Sequence, residues 1–594
     1  MSKLSRREFV YMMSVLGAAP VFANSHTRAV ETNKLEDYYK LKSFGNARLM
    51  HMTDSHAQLL PVYFREPSVN LGFHGNFGKP PHIVGDKLLD YYGLKGNKRL
   101  EYAYSCVDFE KHAKAMGKVG GFAQIKTVVD YLRNNFGDDK TLLLDGGDTW
   151  QGSATALYTR GKDMVGAMNK LGVDVAVGHW EFTYKAEEVL ENVKMLDAEF
   201  LAQNVMVKED ALMEETAVAQ QAYDEDTGHA FKPYTIKKMG NARVAIIGQA
   251  FPYTTIANPQ RFIPDWTFSI NDEGMQEMVD LVREEEKPDA VIVLSHNGFD
   301  VDQKMAEVVT GIDFIMGGHT HDGVPEAVPV KNSNGTTYVC NAGSNGKFLN
   351  VLDLDIQNGK IKDFKFTLLP IFSDLIPEEK GMKKYIEEVR APFKKELTRT
   401  IATTENTLFR RGNFNGSWDQ IICDALIDVK GADISLSPGF RWGTSVMPGQ
   451  DITFDDLMTQ TAMTYPETYA RDISGKDIKA ILEDVADNLF NADPFYQQGG
   501  DMVRTGGISY RINPMAKMGE RITDMRLTKN GKPLQASKKY KVAGWSTVGS
   551  KSPGEPVWET VETYLTNIKH INNANLKIDS PDIIGVKGNP GIEI

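Results

Sequence analysis

Several things are scarce in this chain, and each scarcity closes off a class of protein. Cysteine is the first: Cys106, Cys340 and Cys423 are the only three in 594 residues. They are far apart and lack metal spacing, which argues against a disulfide framework and against a thiolate metal site; buried structural thiols are expected. Positive charge is also short. Lys and Arg number 67 against 79 Asp and Glu, for a net charge of −12, which argues against nucleic acid as the main partner. Local basic pockets for an anionic substrate stay open. Long apolar runs are missing as well. The longest, Met12 to Phe22, holds about eleven residues where a spanning helix needs roughly 20, so no membrane anchor is expected. There is no sequence repeat and no low-complexity segment. What remains is the composition of a soluble globular protein, long enough for two to four domains at roughly 150 residues each.

The apolar run at Met12 to Phe22 follows Ser5-Arg6-Arg7-Glu8-Phe9-Val10, a twin-arginine pattern, and ends near Ala23-Asn24. Residues 1–25 therefore read as a twin-arginine signal peptide, and the mature protein is expected in the periplasm. That export route carries folded proteins.

The chain is organised around Met52-Thr-Asp-Ser-His-Ala-Gln58. Leu49 to Met52 reads as a buried parallel strand, and Asp54 and His56 sit just past its carboxyl end, where open α/β sheets bind ligands. Alone, Asp-x-His is weak. Here Gly147-Asp148, Gly178-His179, Ser295-His296 and Gly318-His319-Thr-His321 each follow a further apolar run. A lone histidine is more often a core or surface residue; five strand-end placements together point to a metal site. His26, His51, His74, His82, His112, His229 and His570 lack this context, and His51 reads as structural.

Between these points the pattern alternates. Gly121 to Phe136 keeps the 3.6-residue helical period, with Phe122, Ile125, Val128, Val129 and Leu132 on one face. Strands are expected at 141–144, 173–177, 199–204, 241–250, 290–294 and 312–316, with helices at about 163–171, 184–196 and 272–286. This β-α-β order predicts an α/β fold with helices packed on a sheet. Residues 26–45 are polar and read as a mobile arm. Residues 59–119, rich in Gly, Pro and aromatics, read as a long irregular insertion walling the site. Residues 325–370 close the first domain, which spans 45–370. A charged helical linker is expected over 371–398, with helix at 376–398. A smaller α/β domain then covers 399–594, with Arg441 and Arg504 on Gly-flanked turns.

Asp54, His56, Asp148, His179, His296, His319 and His321 supply only nitrogen and oxygen donors. Such donors suit Mn²⁺ or Zn²⁺ rather than an iron–sulfur centre. Two such ions roughly 3.5–4 Å apart polarise an ester-like oxyanion and activate water at neutral pH.

The quoted runs, with Gly178-His179-Trp180-Glu181 and Gly317-Gly-His-Thr-His321, resemble the calcineurin-like dimetal phosphoesterases. The two-domain length is similar to the 5′-nucleotidase branch. More narrowly, Asp54-Ser-His-Ala-Gln-Leu-Leu-Pro-Val-Tyr-Phe-Arg-Glu-Pro67, Gly117-Lys-Val-Gly-Gly-Phe122, Val177-Gly-His-Trp-Glu-Phe182 and Gly500-Asp-Met-Val-Arg-Thr-Gly-Gly507 resemble the SoxB thiosulfohydrolases of the sulfur-oxidation (Sox) system, over nearly the whole mature chain. The resemblance implies a metallophosphoesterase-type sandwich followed by a 5′-nucleotidase-type substrate domain. It implies two divalent ions, manganese by family habit, with zinc the alternative. Asp54, His56, Asp148 and His321 would hold one; Asp148, as bridge, with His179, His296 and His319 would hold the other. The implied reaction is attack of a dimetal-bound hydroxide on a cysteine S-thiosulfonate. The substrate would be borne by a SoxYZ-like carrier protein, with release of sulfate. Arg441 and Arg504 would bind substrate across the domain cleft. Arg410-Arg411 is a weaker candidate of the same kind.

One departure from ordinary nucleotidases bears on the chemistry. They carry Gly-Asn-His-Glu where this chain has Gly178-His179-Trp180-Glu181. The metal-binding Asn becomes His179. The catalytic His becomes Trp180, which cannot move a proton. The Asp that would pair with that His is Thr183. A persulfide leaves without protonation more readily than an alkoxide, so the change favours the thiosulfonate substrate. Trp180 is expected to wall the pocket. Two other readings stay open: a periplasmic 5′-nucleotidase or sugar-nucleotide hydrolase, in which Phe440, Trp442, Phe495 and Tyr496 could stack on a base, and a metal-stabilised binding module without catalysis.

Overall fold

The computed structural model describes residues 41–593. The leader expected at 1–25 lies outside them, as does the arm at 26–45 except for its last five residues. Up to residue 370 the strands are β1 (Ala47–Met52), β2 (Thr141–Asp145), β3 (Val175–Ala176), β4 (Glu199–Phe200), β5 (Val205–Val207), β6 (Tyr234–Met239), β7 (Ala242–Gln249), β8 (Trp266–Phe268), β9 (Ala290–Ser295), β10 (Phe314–Gly317), β11 (Val328–Asn332), β12 (Gly335–Asn341), β13 (Phe348–Gln357) and β14 (Lys360–Pro370). They build two six-stranded sheets, ordered β14-β13-β1-β2-β3-β4 and β11-β12-β10-β9-β7-β6. In the first, β1 to β4 run parallel. In the second, β7, β9, β10 and β12 do.

Side-chain alternation explains why the sheets stack. Successive residues of a strand face opposite sides. In β7, Val244 and Ile246 join the large core shared with the first sheet, while Ala245 and Ile247 join a second core under the helices Asp272–Leu281 and Phe299–Val308. Helices Phe122–Phe136, Lys162–Leu171 and Ala186–Met195 contribute their apolar faces to the large core. The result is a sandwich with parallel strand ends from both sheets at one edge.

The expectation of an irregular insertion at 59–119 is corrected. Helices Gly85–Tyr91, Lys98–Tyr104 and Phe109–Met116 occupy its second half. Two turns each are too short for an apolar period to stand out. The insertion is stitched to the far end of the chain: Asn70 N–H donates to Gly591 O at 2.8 Å, Val84 to Pro590 O at 3.0 Å, and Glu593 to Ser68 O at 2.8 Å. The expected strands at 173–177 and 199–204 shrink to two residues each. The helix expected over 376–398 is divided into Lys380–Arg390, a 3-10 turn Ala391–Phe393 at Pro392, and Lys394–Leu397. Cys106, Cys340 and Cys423 are unbonded and buried, as expected. No helix among the described residues is long and apolar enough to cross a membrane.

Beyond residue 400 a four-stranded sheet, Thr468–Ser474, Lys539–Trp545, Ile434–Ser437 and Arg504–Gly506, packs against helix Ser417–Lys430. Buried charges brace this half. Asp419 accepts from Arg410 Nε at 2.8 Å and faces Arg504 Nε at 3.4 Å, and Arg504 Nη2 donates to Asp501 at 3.0 Å. Asp419→Ala strands the buried Arg410 guanidinium and takes one of two carboxylates from Arg504, and should cost about 3–5 kcal/mol. Urea unfolding measures this, and a loss below about 1 kcal/mol, the size of an exposed pair, would contradict the bracing role.

Candidate dimetal centre

The turns that follow the parallel strands converge. Asp54 and His56 follow β1, Asp148 follows β2, His179 follows β3, His296 follows β9, and His319 and His321 follow β10. The first two turns lie along each other. Asp54 N–H donates to Gly147 O and His56 N–H to Asp148 O, both at 2.8 Å. Asp54, His56, Asp148, His319 and His321 all have positive φ, from 44° to 72°. L-residues adopt this conformation at a cost, and it persists where surrounding structure enforces it, often at functional sites. Gly318 shows the enforcement: a Cβ there would fall 2.3 Å from Thr53 Oγ1.

Glu181 fixes the second turn. Its carboxylate accepts the backbone N–H groups of Asp148 (3.1 Å), Thr149 (2.7 Å), Trp150 (3.1 Å) and His179 (2.8 Å). Two turns from two strands therefore share one buried anion. Sequence reading missed this role, although Glu181 stands in the same short run as His179. The Asp54 carboxylate is oriented by the Thr53 hydroxyl at 2.7 Å and by the His319 N–H at 3.0 Å.

All seven expected ligands are buried and come together in two groups that share Asp148. Asp54, His56, Asp148 and His321 form one; Asp148, His179, His296 and His319 form the other. Within each group the donor atoms lie within 4.8 Å of one another. His56 Nε2 and His321 Nε2 are 3.0 Å apart. His296 Nε2 is 3.0 Å from Asp148 and 3.7 Å from Asp54.

The donor chemistry fits cations. Nε2 of His179, His296 and His319 is buried without a hydrogen-bond partner. The other ring nitrogen of His296 is held by Gly146 O and that of His56 by Gln151 O at 3.2 Å, which leaves Nε2 of each as the coordinating atom. Burial lowers the His56 imidazole to about 4 and takes His319 and His321 well below the ordinary range. These rings are neutral near pH 7, with a lone pair to give. Burial would also lower His296, but Asp148 and Asp54 overcome it and push that ring up to about 10. Burial would raise Asp148, yet His296 and His179 hold it well below the usual carboxylate range.

A cavity of about 280 Å³ opens on the centre. Trp180 lines it, as expected, set edge-on to Phe440 and Trp442. Phe495 and Tyr496 take no part in its wall; Phe495 packs against the core beneath the second sheet and Tyr496 is exposed. Arg441 lines it and donates to Gly500 O at 2.7 Å and His319 O at 3.4 Å. Arg504 is corrected: it is wholly buried, bound to Asp501 and Gly412 O, and absent from the wall. Its Gly-flanked run looked like a ligand loop, but Asp501, three residues before it, and the distant Asp419 hold it inward. Arg410 is tied likewise to Asp419 and Gln460 O. Arg411 is buried behind Thr320, with its Nε unpartnered. Gly499 packs so tightly on the centre that a Cβ would fall 1.8 Å from His319 Nε2.

Residues 400–559 match the family model of the 5′-nucleotidase C-terminal domain. A solved structure of a sulfate thiohydrolase, SoxB, from Thermus thermophilus aligns with a TM-score of 0.84 and 33% identity, over 92% of this chain and 98% of that one. Protein UshA of Yersinia enterocolitica is 22% identical over 499 residues, 75% of this chain and 84% of its own length. The trifunctional nucleotide phosphoesterase YfkN of Bacillus subtilis is 27% identical over 463 residues, 70% of this chain. The match covers 30% of the YfkN protein's own length.

Glu181→Gln should leave the fold intact and weaken metal binding by about 10–100-fold, the usual effect of losing a group that orients ligands. Calorimetric titration of the stripped protein with Mn²⁺ reads this directly. Unchanged affinity would mean that the turns hold themselves.

Proposed function

We propose a reaction for a chain that belongs to the 5′-nucleotidase superfamily of two-domain, metal-dependent hydrolases. The reaction is hydrolysis of a cysteine S-thiosulfonate borne by a carrier protein, with release of sulfate and of the carrier persulfide. The observation that carries this reading is Trp180, which stands beside the shared carboxylate where ordinary nucleotidases have a proton-moving histidine. Its backbone N–H donates to Asp148 at 2.8 Å, and its ring lies 5.0 Å from that of His179, centroid to centroid. The partner position is equally unsuited to acid catalysis: Thr183 bonds Thr464 at 2.7 Å. The likeness to a sulfate thiohydrolase over 92% of the chain supports the same reading.

Other side chains in the cavity wall do not replace the missing acid. The His56, His179, His319 and His321 rings belong to the ligand groups. The Tyr465 hydroxyl donates to Ala257 O at 2.5 Å. Burial works to raise Asp501, but Arg504 and Arg441 keep it below the usual range, so it holds no proton near pH 7. A group that leaves from this cavity leaves unprotonated. That suits a persulfide and penalises a ribose alkoxide.

Arg441 provides the oxyanion contact. Its forked guanidinium spends two donors on backbone carbonyls and has others for sulfonate oxygens. Trp180, Phe440 and Trp442 exclude water and raise the strength of that contact. When bound at the two ligand groups, a pair of divalent cations supplies Lewis acidity and a water-derived nucleophile near neutral pH. Manganese is the proposed ion and zinc the alternative. The proposed setting is the periplasm, reached by twin-arginine export, with a SoxYZ-like sulfur carrier as partner.

Metal-loaded protein should release sulfate from thiosulfonated carrier and little phosphate from AMP. Robust AMP turnover without sulfate release would replace this reading with a nucleotidase. Restoring the dyad with Trp180→His and Thr183→Asp together should raise AMP hydrolysis by about a hundredfold, the low end of general acid catalysis. No rise would show that the missing acid is not what sets substrate choice.

A further inference from the structure

Away from the metal centre, the insertion and the C-terminal half enclose an open cavity of about 600 Å³. It shares no wall residue with the cavity over the metal ligands. Such a volume matches sites for small organic ligands.

Arg65 is the notable wall residue. Its guanidinium lies 4.3 Å over the ring centroid of Phe409. The one hydrogen bond found for that guanidinium among the described residues is a 3.5 Å contact to Glu66 O, beyond ordinary bonding distance. The neighbouring carboxylate is taken, since Lys347 Nζ holds Glu66 at 2.6 Å. Of the acids of this cavity, Asp108 pairs with Lys111 at 3.3 Å and Glu110 accepts the Thr407 hydroxyl, and among the described residues neither makes an ion pair with Arg65. Arginine cannot neutralise itself by losing a proton. A largely buried cation with no counter-ion pays for its desolvation, and an anion in the cavity would remove that penalty.

The remaining wall specifies more than charge. Phe109, Leu576 and Ile578 offer apolar surface. Among the described residues Asn406 Oδ1 is buried with no partner, so an acceptor waits for a ligand N–H. We infer that this cavity binds a small organic carboxylate, its charge on Arg65 and its aliphatic body against Phe109, Leu576 and Ile578. The site is independent of the reaction assigned to the metal centre.

The probes are N-acetyl-leucine, its neutral amide N-acetyl-leucinamide, and sodium sulfate, each titrated by calorimetry into the metal-loaded full chain. The acid should bind about tenfold tighter than the amide, the size of one charge-assisted contact. Arg65→Gln should erase that difference, and sulfate should leave the acid's isotherm unchanged. Equal binding of acid and amide by the unaltered protein overturns the proposal and needs no variant. An acid preference that survives Arg65→Gln also overturns it, because the anion then sits elsewhere. Full displacement by sulfate overturns the organic assignment in favour of an inorganic-anion site.

Discussion

The rest of the site depends on one carboxylate. Asp148 Oδ1 accepts the Trp180 N–H at 2.8 Å and stands 3.2 Å from His179; Oδ2 stands 3.0 Å from His296 and 3.6 Å from His56. Both ligand groups therefore meet on it, and each sheet supplies imidazoles to it. Five histidine rings and two carboxylates in a buried space are tolerable only if positive charge compensates the acids and occupies the unpaired nitrogens. The left-handed turns, the fourfold grip of Glu181 and the absence of a side chain at Gly318 all keep that meeting point in place.

The strand ends were legible because each is a short apolar run that stops at Asp or His. The reason is physical: a buried strand is mostly apolar and the ligands gather in the turn past its carboxyl end, although β1 also carries buried Arg48 and His51 within it. Ligand identities followed from the same signal. The pieces that escaped depend on long-range partners. Arg504 opens a short strand rather than sitting on a turn like that of Arg441, and Asp419, far away in sequence, joins the local Asp501 in drawing it inward, which no local pattern announces. Glu181 looked like the tail of a motif; its work is done through backbone N–H groups, which leave no trace in side-chain patterning. The three insertion helices are too short for periodicity to outweigh the Gly and Pro around them.

In the proposed reaction the aromatic wall is what makes the metal centre selective. Trp180 removes a proton donor and adds apolar surface at the same time. Phe440 stacks on Trp442 with centroids 4.0 Å apart, and Trp442 in turn lies 5.6 Å from the His56 ring. Phe251 stacks on His319 at 4.1 Å from the other side. Ligand rings thus touch apolar faces from both halves of the chain. This lowers the local dielectric and strengthens every charge contact made by a substrate anion.

The stitching of the insertion to residues near 590 bears on how the protein can be made. Asn589 Nδ2 bonds Gly72 O across 517 positions of sequence. The strand-end ligands are all emitted by residue 321, so a nascent chain can assemble them early. The insertion is stitched down only when residues near 590 have cleared the ribosome, and Phe440, Arg441, Trp442 and Gly499, which wall the ligand cavity, also follow the ligands in the chain. In order of synthesis, therefore, the ligands precede the residues that cover them. Metal choice in such a protein is a matter of when and where the chain meets its ions as much as of donor type.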